Sequence, residues 1–292
     1  PYLVDSNIVS IEPSRKPLFK SSSMKLGNMP YGKGLLLDSN EKEILLSQNP
    51  EAKKFIRKFA GGEEFLHSKA RYCLWIDDEE LEEAKSIPYI NDRIEMVRKQ
   101  RSESSDASGQ KLAERAHQFR ERNSSHTNTI VLARTSSETR EYIPAGLASP
   151  EWIFSSETFA LYDEPIFNIS IIVSNLHLVW ISSVCGQLET RIRYSNTLGW
   201  NTFPVPPLTA KNKEDLTACA EEILIARERH FPATIADLYD PDNMPEDLRR
   251  AHDRNDEVLE RIYIGRRFKN DTERLEKLFG LYTQMTSKGV AA

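Results

Sequence analysis

The chain has 292 residues and a formal net charge of −5, and its 39% hydrophobic and 28% charged residues are typical of a soluble protein with a buried core. Three scattered cysteines without the spacing of a zinc site make a reducing compartment the simplest interpretation. The negative balance argues mildly against a free-standing nucleic-acid binder, and a start at Pro1 without methionine or signal peptide indicates a segment of a longer polypeptide.

The first half of the chain predicts short helices and strands. Residues 40–59 predict two helical pieces, and residues 71–76, RYCLWI, predict a strand. A basic helix at 90–101 and a second basic segment at 111–122 follow, and together residues 93–122 hold eight basic and five acidic side chains. Phosphate contacts depend on local charge, so this pair is the best candidate for a phosphate-contacting surface. A solvated helix face is the alternative of equal weight.

The middle of the chain predicts strands and one buried helix. Strands are expected at residues 129–133, 140–143 and 152–161. Residues 166–184 form the most apolar run, which has the length of a membrane span. Seven Asn, Ser and His side chains within it and the lack of basic flanks favour a buried core helix, in which His177 is a core histidine rather than a ligand. From residue 216 onwards, apolar side chains recur at helical spacing and predict a small helical bundle.

Residues 185–207, CGQLETRIRYSNTLGWNTFPVPP, hold the most informative pattern. Glu189, Arg191 and Arg193 occupy alternate positions, so an extended segment places the three charges on one face. The opposite face then carries Leu188, Thr190 and Ile192. Arginine bonds guanine bidentately in the major groove, and a carboxylate accepts from the amino group of cytosine, so such a segment can read two neighbouring base pairs. On pattern alone, a solvated edge strand with a Glu–Arg pair is the stronger interpretation, because this alternation is common in half-buried strands.

Catalytic motifs are missing from the sequence. It holds no Gly-x-Ser-x-Gly, His-Glu-x-x-His, Gly-x-Gly-x-x-Gly or Asn/Asp-Pro-Pro-Tyr. Glu51-Ala52-Lys53 and Glu83-Ala84-Lys85 match the Glu-x-Lys end of a nuclease site, but this pattern is common in charged helices. The six histidines show no metal-site spacing. The sequence therefore favours a binding module, and a nuclease or hydrolase fragment is the weakest of the hypotheses.

Several segments, in the right order and over nearly the whole chain, resemble the C-terminal part of the MmeI-like restriction–modification proteins. Those are single chains with a nuclease, an adenine-N6 methyltransferase, a target recognition domain and a helical tail. The matching segments are RKPL at 15–18, LGNMPYGKGLLL at 26–37, ARYCLWI at 70–76, YIP at 142–144, SNLHLVWISSVCGQLETRIRYSNT at 174–197, WNTFPVPP at 200–207, IADLYDPDNMPEDLRRAH at 235–252 and GRRFKNDTERLEKLFGLY at 265–282. The family usually has Tyr-Asn-Asn-Phe-Pro-Trp-Pro where this chain has WNTFPVP.

The resemblance implies an α+β fold in two domains. Residues 1–210 are expected to form a mixed target recognition domain with short strands and helices, and residues 211–292 a small all-helical C-terminal domain. It implies double-stranded DNA and an upstream methyltransferase domain of the same polypeptide as partners, in the bacterial cytoplasm and away from membranes. No catalytic residue, metal site or cofactor is expected here, since S-adenosylmethionine and Mg²⁺ would belong to the parent enzyme. A protein–protein interaction or structural module of a larger complex is the alternative function.

The resemblance also assigns site residues. Glu189 and Arg191 match a specificity pair, because relatives often carry Lys and Asp there, and a charge swap fits a swap in base-pair orientation. Further base contacts are expected from Arg193 and, with weaker support, from Ser156, Glu157 and Thr158. DNA-backbone contacts, which position a protein without reading sequence, are expected from Lys33, Arg98, Lys99, Arg101, Arg115, Arg120, Tyr194 and Ser195.

Overall fold

The computed structural model describes residues 10–289, which form helices and small sheets. The helices are α1 Ser39–Gln48, α2 Gly62–Leu66, α3 Leu81–Lys85, α4 Pro88–Ser102, α5 Ala107–Lys111, α6 Phe167–Ile172, α7 Asn175–Val184, α8 Ala210–Glu228, α9 Ile235–Leu238, α10 Glu246–Ile264 and α11 Asp271–Gly289. The strands are β1 Lys25–Leu26, β2 Leu36–Leu37, β3 Ile56–Ala60, β4 Arg71–Leu74, β5 Thr129–Ala133, β6 Thr135–Ser136, β7 Ala145–Ala148, β8 Trp152–Phe154, β9 Thr158–Tyr162, β10 Gly186–Leu188 and β11 Arg191–Arg193. The predicted α+β class with a helical C-terminal part is confirmed.

The chain folds into two compact units, each built from separated segments. Within the described residues, the hairpin unit comprises residues 10–24, Arg134–Gly146 and residues 164–289, and the sheet unit comprises Lys25–Ala133 and Leu147–Asp163. The predicted domain border at residue 210 lies inside the hairpin unit, at the start of α8, and stays a prediction.

The sheet unit contains two sheets and a helix with a buried stripe. One sheet has the order β2-β4-β3-β8, in which β3 is antiparallel to β4 and parallel to β8. In the other, β9 lies between β1 and β5, antiparallel to both. Ile90, Ile94 and Val97 of α4 recur at helical spacing and are fully buried in the core of this unit. Their spacing explains why the predicted basic helix forms.

One prediction for the sheet unit is wrong in part. The second helical piece of residues 40–59 is a 3₁₀ turn, Pro50–Phe55, that leads directly into β3. Among the apolar side chains of this region, Leu45, Phe55 and Phe59 are buried, Ile56 is partly buried, and Ile44 is 43% exposed. In the basic segment 111–122, a 3₁₀ turn, Leu112–Arg115, follows the end of α5 at Lys111.

The hairpin unit has a helical core. Helix α8 packs against α6 and α10, and α11 packs against α7. The predicted helical stripes are confirmed for Leu259 and Tyr263 of α10 and for Leu278 and Tyr282 of α11, all of which are buried. The ring of Trp180, on α7, contacts the ring of Tyr282 with centroids 5.8 Å apart.

The apolar run at 166–184 forms two helices instead of one. Helix α6 ends at Ile172, and the Ser174 hydroxyl then accepts a hydrogen bond from the His177 N–H at 3.2 Å, which caps α7. Across residues 10–289, no helix combines the length and the apolar character needed to cross a membrane.

The strand predictions for the middle of the chain have mixed outcomes. The strand at 129–133 is confirmed as β5. The single strand expected at 152–161 is two strands, β8 and β9, separated by a turn at Ser156 and Glu157. No strand forms at 140–143.

Candidate nucleic-acid interface

Two short strands of the hairpin unit carry the predicted base-contacting arginines. Strands β10 and β11 pair antiparallel with Leu188 opposite Arg191, so Glu189 and Thr190 form the turn between them. Glu189 adopts a φ of 57°, in the left-handed region that tight turns use. The expectation of one extended segment is therefore wrong. Glu189 belongs to the turn, and only Arg191 and Arg193 share a strand face.

The burial pattern of β11 shows that the face with Arg191 and Arg193 points to solvent. Arg191 and Arg193 are exposed, whereas Ile192 between them is 9% exposed. Leu188 and Thr190, expected opposite the charges, are both exposed. Leu188 lies on the side of Arg191, because directly paired residues of antiparallel strands share a face.

A third strand extends this surface. Strand β6 pairs with β11 so that Thr135 lies opposite Arg193 and Ser136 opposite Ile192. Thr135 therefore joins Arg191 and Arg193 on what we call the arginine face. Sequence reasoning missed Thr135, because β6 is two residues long and far from the hairpin in sequence.

The charges of the hairpin remain available to a ligand. Arg191 donates to Glu189 at 2.9 Å, and both side chains are largely exposed. A guanidinium has five N–H donors, so this contact leaves most of them free. The guanidinium of Arg193 has no hydrogen bond or ion pair to any residue in the range 10–289. The face thus presents two arginines at alternate positions with one carboxylate beside them.

The residues after Arg193 anchor the hairpin. The Tyr194 side chain is buried, and a 2.9 Å hydrogen bond joins its hydroxyl to Nε2 of His177 on α7. Burial lowers the pKa of His177 to about 3, so the ring is neutral, and it packs edge-on against Phe203. His177 is thus a buried core histidine, as predicted. Tyr194 as a DNA-backbone contact is a wrong prediction, because its hydroxyl is enclosed.

Ser195 has a local structural role. Its hydroxyl accepts from the Leu198 N–H at 3.4 Å and caps the π-helical turn Asn196–Trp200. The side chain is half-buried and also lies 3.1 Å from the Thr197 hydroxyl. The structure therefore gives Ser195 a capping function that the sequence pattern did not indicate.

The weaker base-contact candidates lie in the turn between β8 and β9. Glu157 is exposed and Ser156 is half-buried. Thr158 is fully buried, and its hydroxyl donates to the Ser155 carbonyl at 2.8 Å. The prediction of Thr158 as a base contact is wrong, since its polar atom is enclosed and already bonded.

Arg101, one of the predicted phosphate contacts, is buried inside the sheet unit at 1% exposure. Its guanidinium donates to five backbone carbonyls, those of Pro30, Tyr31, Leu112, Arg115 and Gln118. Burial, with a smaller effect of Arg115, lowers the pKa of Arg101 to about 10, so it stays charged at neutral pH. The predicted phosphate contact is wrong, because all the donors point inward.

The other predicted cations divide into half-buried side chains that bond backbone carbonyls of the protein and exposed side chains. Arg115 donates to the carbonyls of Phe119 at 3.0 Å and Arg120 at 2.8 Å. Arg98 donates to the Ala113 carbonyl at 3.1 Å and pairs with a neighbouring carboxylate. Lys33, Lys99 and Arg120 are exposed and remain the accessible members of the set, and Arg120 forms an ion pair with Glu121 at 3.3 Å.

The glycine-rich loop packs against α4 and brings Lys33 close to that helix. The Lys33 N–H donates to the side chain of Gln100 at 3.2 Å. A Cβ atom on Gly34 would lie 2.5 Å from the Arg93 carbonyl oxygen, which leaves no room for a larger residue. Lys33 and Lys99 therefore belong to adjacent elements of one surface.

The described residues show no grouping for metal chemistry. Within 10–289, no three His, Cys, Asp or Glu side chains are placed to hold a metal ion. In the second Glu-x-Lys segment, Glu83 forms an ion pair with Lys54.

Two family profiles give the class of protein, a target recognition domain followed by a C-terminal domain. The family "MmeI, target recognition domain" matches residues 5–207, and the family "MmeI, C-terminal domain" matches residues 208–290. The chain therefore belongs to the MmeI family, which confirms the resemblance seen in the sequence.

Individual relatives are longer than this chain. DNA methyltransferase A of Bacillus subtilis (strain 168) is 37% identical over 289 residues, which are 99% of this chain and 33% of that protein. The type IIL restriction–modification enzyme MmeI, solved in complex with DNA, is 31% identical with a TM-score of 0.91, over 98% of this chain and 38% of that one. The chain thus spans about a third of the length of these relatives.

Proposed function

We propose that this chain is the DNA target recognition module of a type II restriction–modification enzyme with adenine-N6 DNA methyltransferase activity. The observation that carries the proposal is the exposed arginine face on a hairpin within an MmeI-family chain. The similarity to MmeI, which was solved with DNA, and to a DNA methyltransferase supports it. The methyltransferase domain, the sites for S-adenosylmethionine and Mg²⁺, and any nuclease lie outside this chain in this proposal.

The arginine face suits the major groove of DNA, which is wide enough for a two-stranded β-ribbon. Arg191 and Arg193 can each donate bidentately to O6 and N7 of guanine, and Glu189 at the turn can accept from the amino group of cytosine. In the free protein, the Glu189–Arg191 pair is exposed, so it is worth about 0–1 kcal/mol and is easily exchanged for base contacts. Each correct bidentate contact then contributes about 1–3 kcal/mol of discrimination.

Lys33, Lys99 and Arg120 supply phosphate contacts in this proposal. Such contacts set the position of the protein on the duplex, and the hairpin then reads the bases. This division of roles fits the net charge of −5, since only a few cations of the chain are needed to contact the DNA phosphates. In this proposal, the helices after the domain border at about residue 210 support the hairpin. Helix α11 packs against α7, and α7 immediately precedes the hairpin.

A charge swap tests the proposal. We expect Glu189→Lys combined with Arg191→Asp, made in the full-length polypeptide, to change one recognised base pair while methylation at the new site stays substantial. The reason is that a reversed charge pair fits a reversed base pair. The measurement is a map of methylated adenines in DNA from cells that express the complete gene.

The matched control swaps an exposed pair away from the hairpin. Lys211→Asp with Asp215→Lys exchanges an ion pair of 2.8 Å on α8 and should leave the recognised sequence unchanged. Loss of all binding by the hairpin swap, without a new specificity, would count against direct base readout.

A further inference from the structure

The turn of the hairpin is tied to a residue outside it. The Thr190 hydroxyl donates to the Glu138 carboxylate at 2.6 Å. Glu138 lies two residues after β6, and Thr190 immediately precedes Arg191. The hydrogen bond from Thr190, and more weakly the charge of Arg191, lowers the pKa of the exposed Glu138 carboxyl. Glu138 is therefore ionised at neutral pH and lies within the electrostatic reach of Arg191.

Little else holds the turn in place. A groove of about 610 Å³ lies beside the turn, and its walls include Glu138, Gln187, Thr190 and Arg274. Glu189 and Leu188 are exposed. Among the residues in the range 10–289, the bond to Glu138 is the only hydrogen bond from Glu189 or Thr190 to a residue outside the hairpin.

We propose that Glu138 is a positioning residue for base readout, which fixes the direction of Glu189 and Arg191 through its hydrogen bond to Thr190. The inference rests on the proposed function of the chain. A base contact requires its donor atoms to lie within about 0.5 Å of their bonding positions. A side chain next to an unsupported turn does not meet that limit. The charge of Glu138 also attracts Arg191 from outside the hairpin.

Selection from a randomised duplex pool tests this inference without relying on catalysis. The purified full-length polypeptide binds the pool, and the bound duplexes are sequenced. The base pair read by Glu189 and Arg191 is identified as the one that changes in the double charge swap. We expect Glu138→Ala and Thr190→Val to reduce the preference at that base pair about tenfold, the loss of one base contact, with the rest of the motif unchanged.

Conservative variants separate positioning from a general loss of structure. Glu138→Gln and Thr190→Ser keep an acceptor and a hydroxyl, so they should retain the preference, as should the exposed-acid control Asp215→Ala. An unchanged preference in Glu138→Ala, or an equal loss at every base pair, would overturn the inference. Failure of the unaltered polypeptide to enrich any motif would instead overturn the proposed function, and the inference with it.

Discussion

Arg101 and Lys99 lie two positions apart in α4, but their side chains have opposite environments. Arg101 is buried and bonded to carbonyls of the loop at Pro30–Tyr31 and of the segment after α5, whereas Lys99 is exposed. Helix geometry turns the two side chains to different sides. The same basic run therefore supplies one structural cation and one surface cation.

Replacing Arg101 should destabilise the sheet unit strongly. Arg101→Met removes a charged donor from five carbonyls in a buried site, so we expect a loss of about 3 kcal/mol or more in the free energy of unfolding. Lys99→Met, at an exposed position of the same helix, should change it by less than about 0.5 kcal/mol. Urea titration of the chain measures both, and an unchanged midpoint for Arg101→Met would contradict the structural role.

Helix α7 leads directly into the hairpin of β10 and β11, and its first residue, Asn175, is hydrogen-bonded to α10. Asp256 of α10 accepts from the backbone N–H of Asn175 at 2.8 Å and from its side-chain amide at 2.6 Å. At the other end of α7, Cys185 is followed at once by β10. The tie to Asp256 thus helps to set the position of the hairpin.

The buried carboxyl of Asp256 should make stability depend on pH. Burial raises its pKa to about 7, and the nearby Glu260 adds to this rise. In the unfolded chain its pKa is about 3.9, so the folded state binds the proton more tightly. The resulting stability is fully present below about pH 4 and is lost as the pH rises through about 7.

Asp256→Asn should remove this dependence, because an amide still accepts a hydrogen bond but does not titrate. Between pH 5 and pH 8, the unaltered chain should lose about 2 kcal/mol of unfolding free energy that the variant does not lose. Urea titrations at the two pH values measure the difference. The exposed acid Asp242, replaced by Asn, is the control, and identical pH profiles for Asp256→Asn and the unaltered chain would disprove the prediction.

Over the whole molecule, a net charge of −5 coexists with a local surface of accessible cations. If Lys33 and Lys99 contact phosphates, the double variant Lys33→Ala and Lys99→Ala should reduce the slope of log affinity against log salt by about 2, at about 0.9 for each contact. Duplex binding by the full-length polypeptide across a salt series measures this slope. The double variant Lys53→Ala and Lys85→Ala, which removes two lysines that this proposal does not place on DNA, should leave it unchanged.

A different salt response would favour the alternative function. An interaction or structural module would show no salt-dependent binding of duplex and would capture a protein partner in a salt-insensitive manner. The double lysine variant would then have no effect on either measurement.

The elements with strong periodicity were predictable from sequence. Helix α4, strands β4 and β5 and the helices after residue 210 follow from apolar spacing, and burial confirms most of their core residues. The hairpin turn was missed because Glu189-Thr190 is not a typical turn pair, so the sequence predicted an extended strand through it. The apolar run predicts one helix, because its break depends on the capping bond of Ser174, which composition does not show.

Family membership and the positions of the charged residues were determined by the sequence alone, because motifs and composition are local properties of the chain. Tertiary structure alone decided which charges are available. The sequence made Arg101 and Tyr194 candidate DNA contacts alongside Arg191, yet their polar atoms are enclosed and bonded inside the protein. The contacts that decide this join residues far apart in sequence, such as Glu138 with Thr190 and Thr135 with Arg193. No local pattern encodes which side chains the fold brings together.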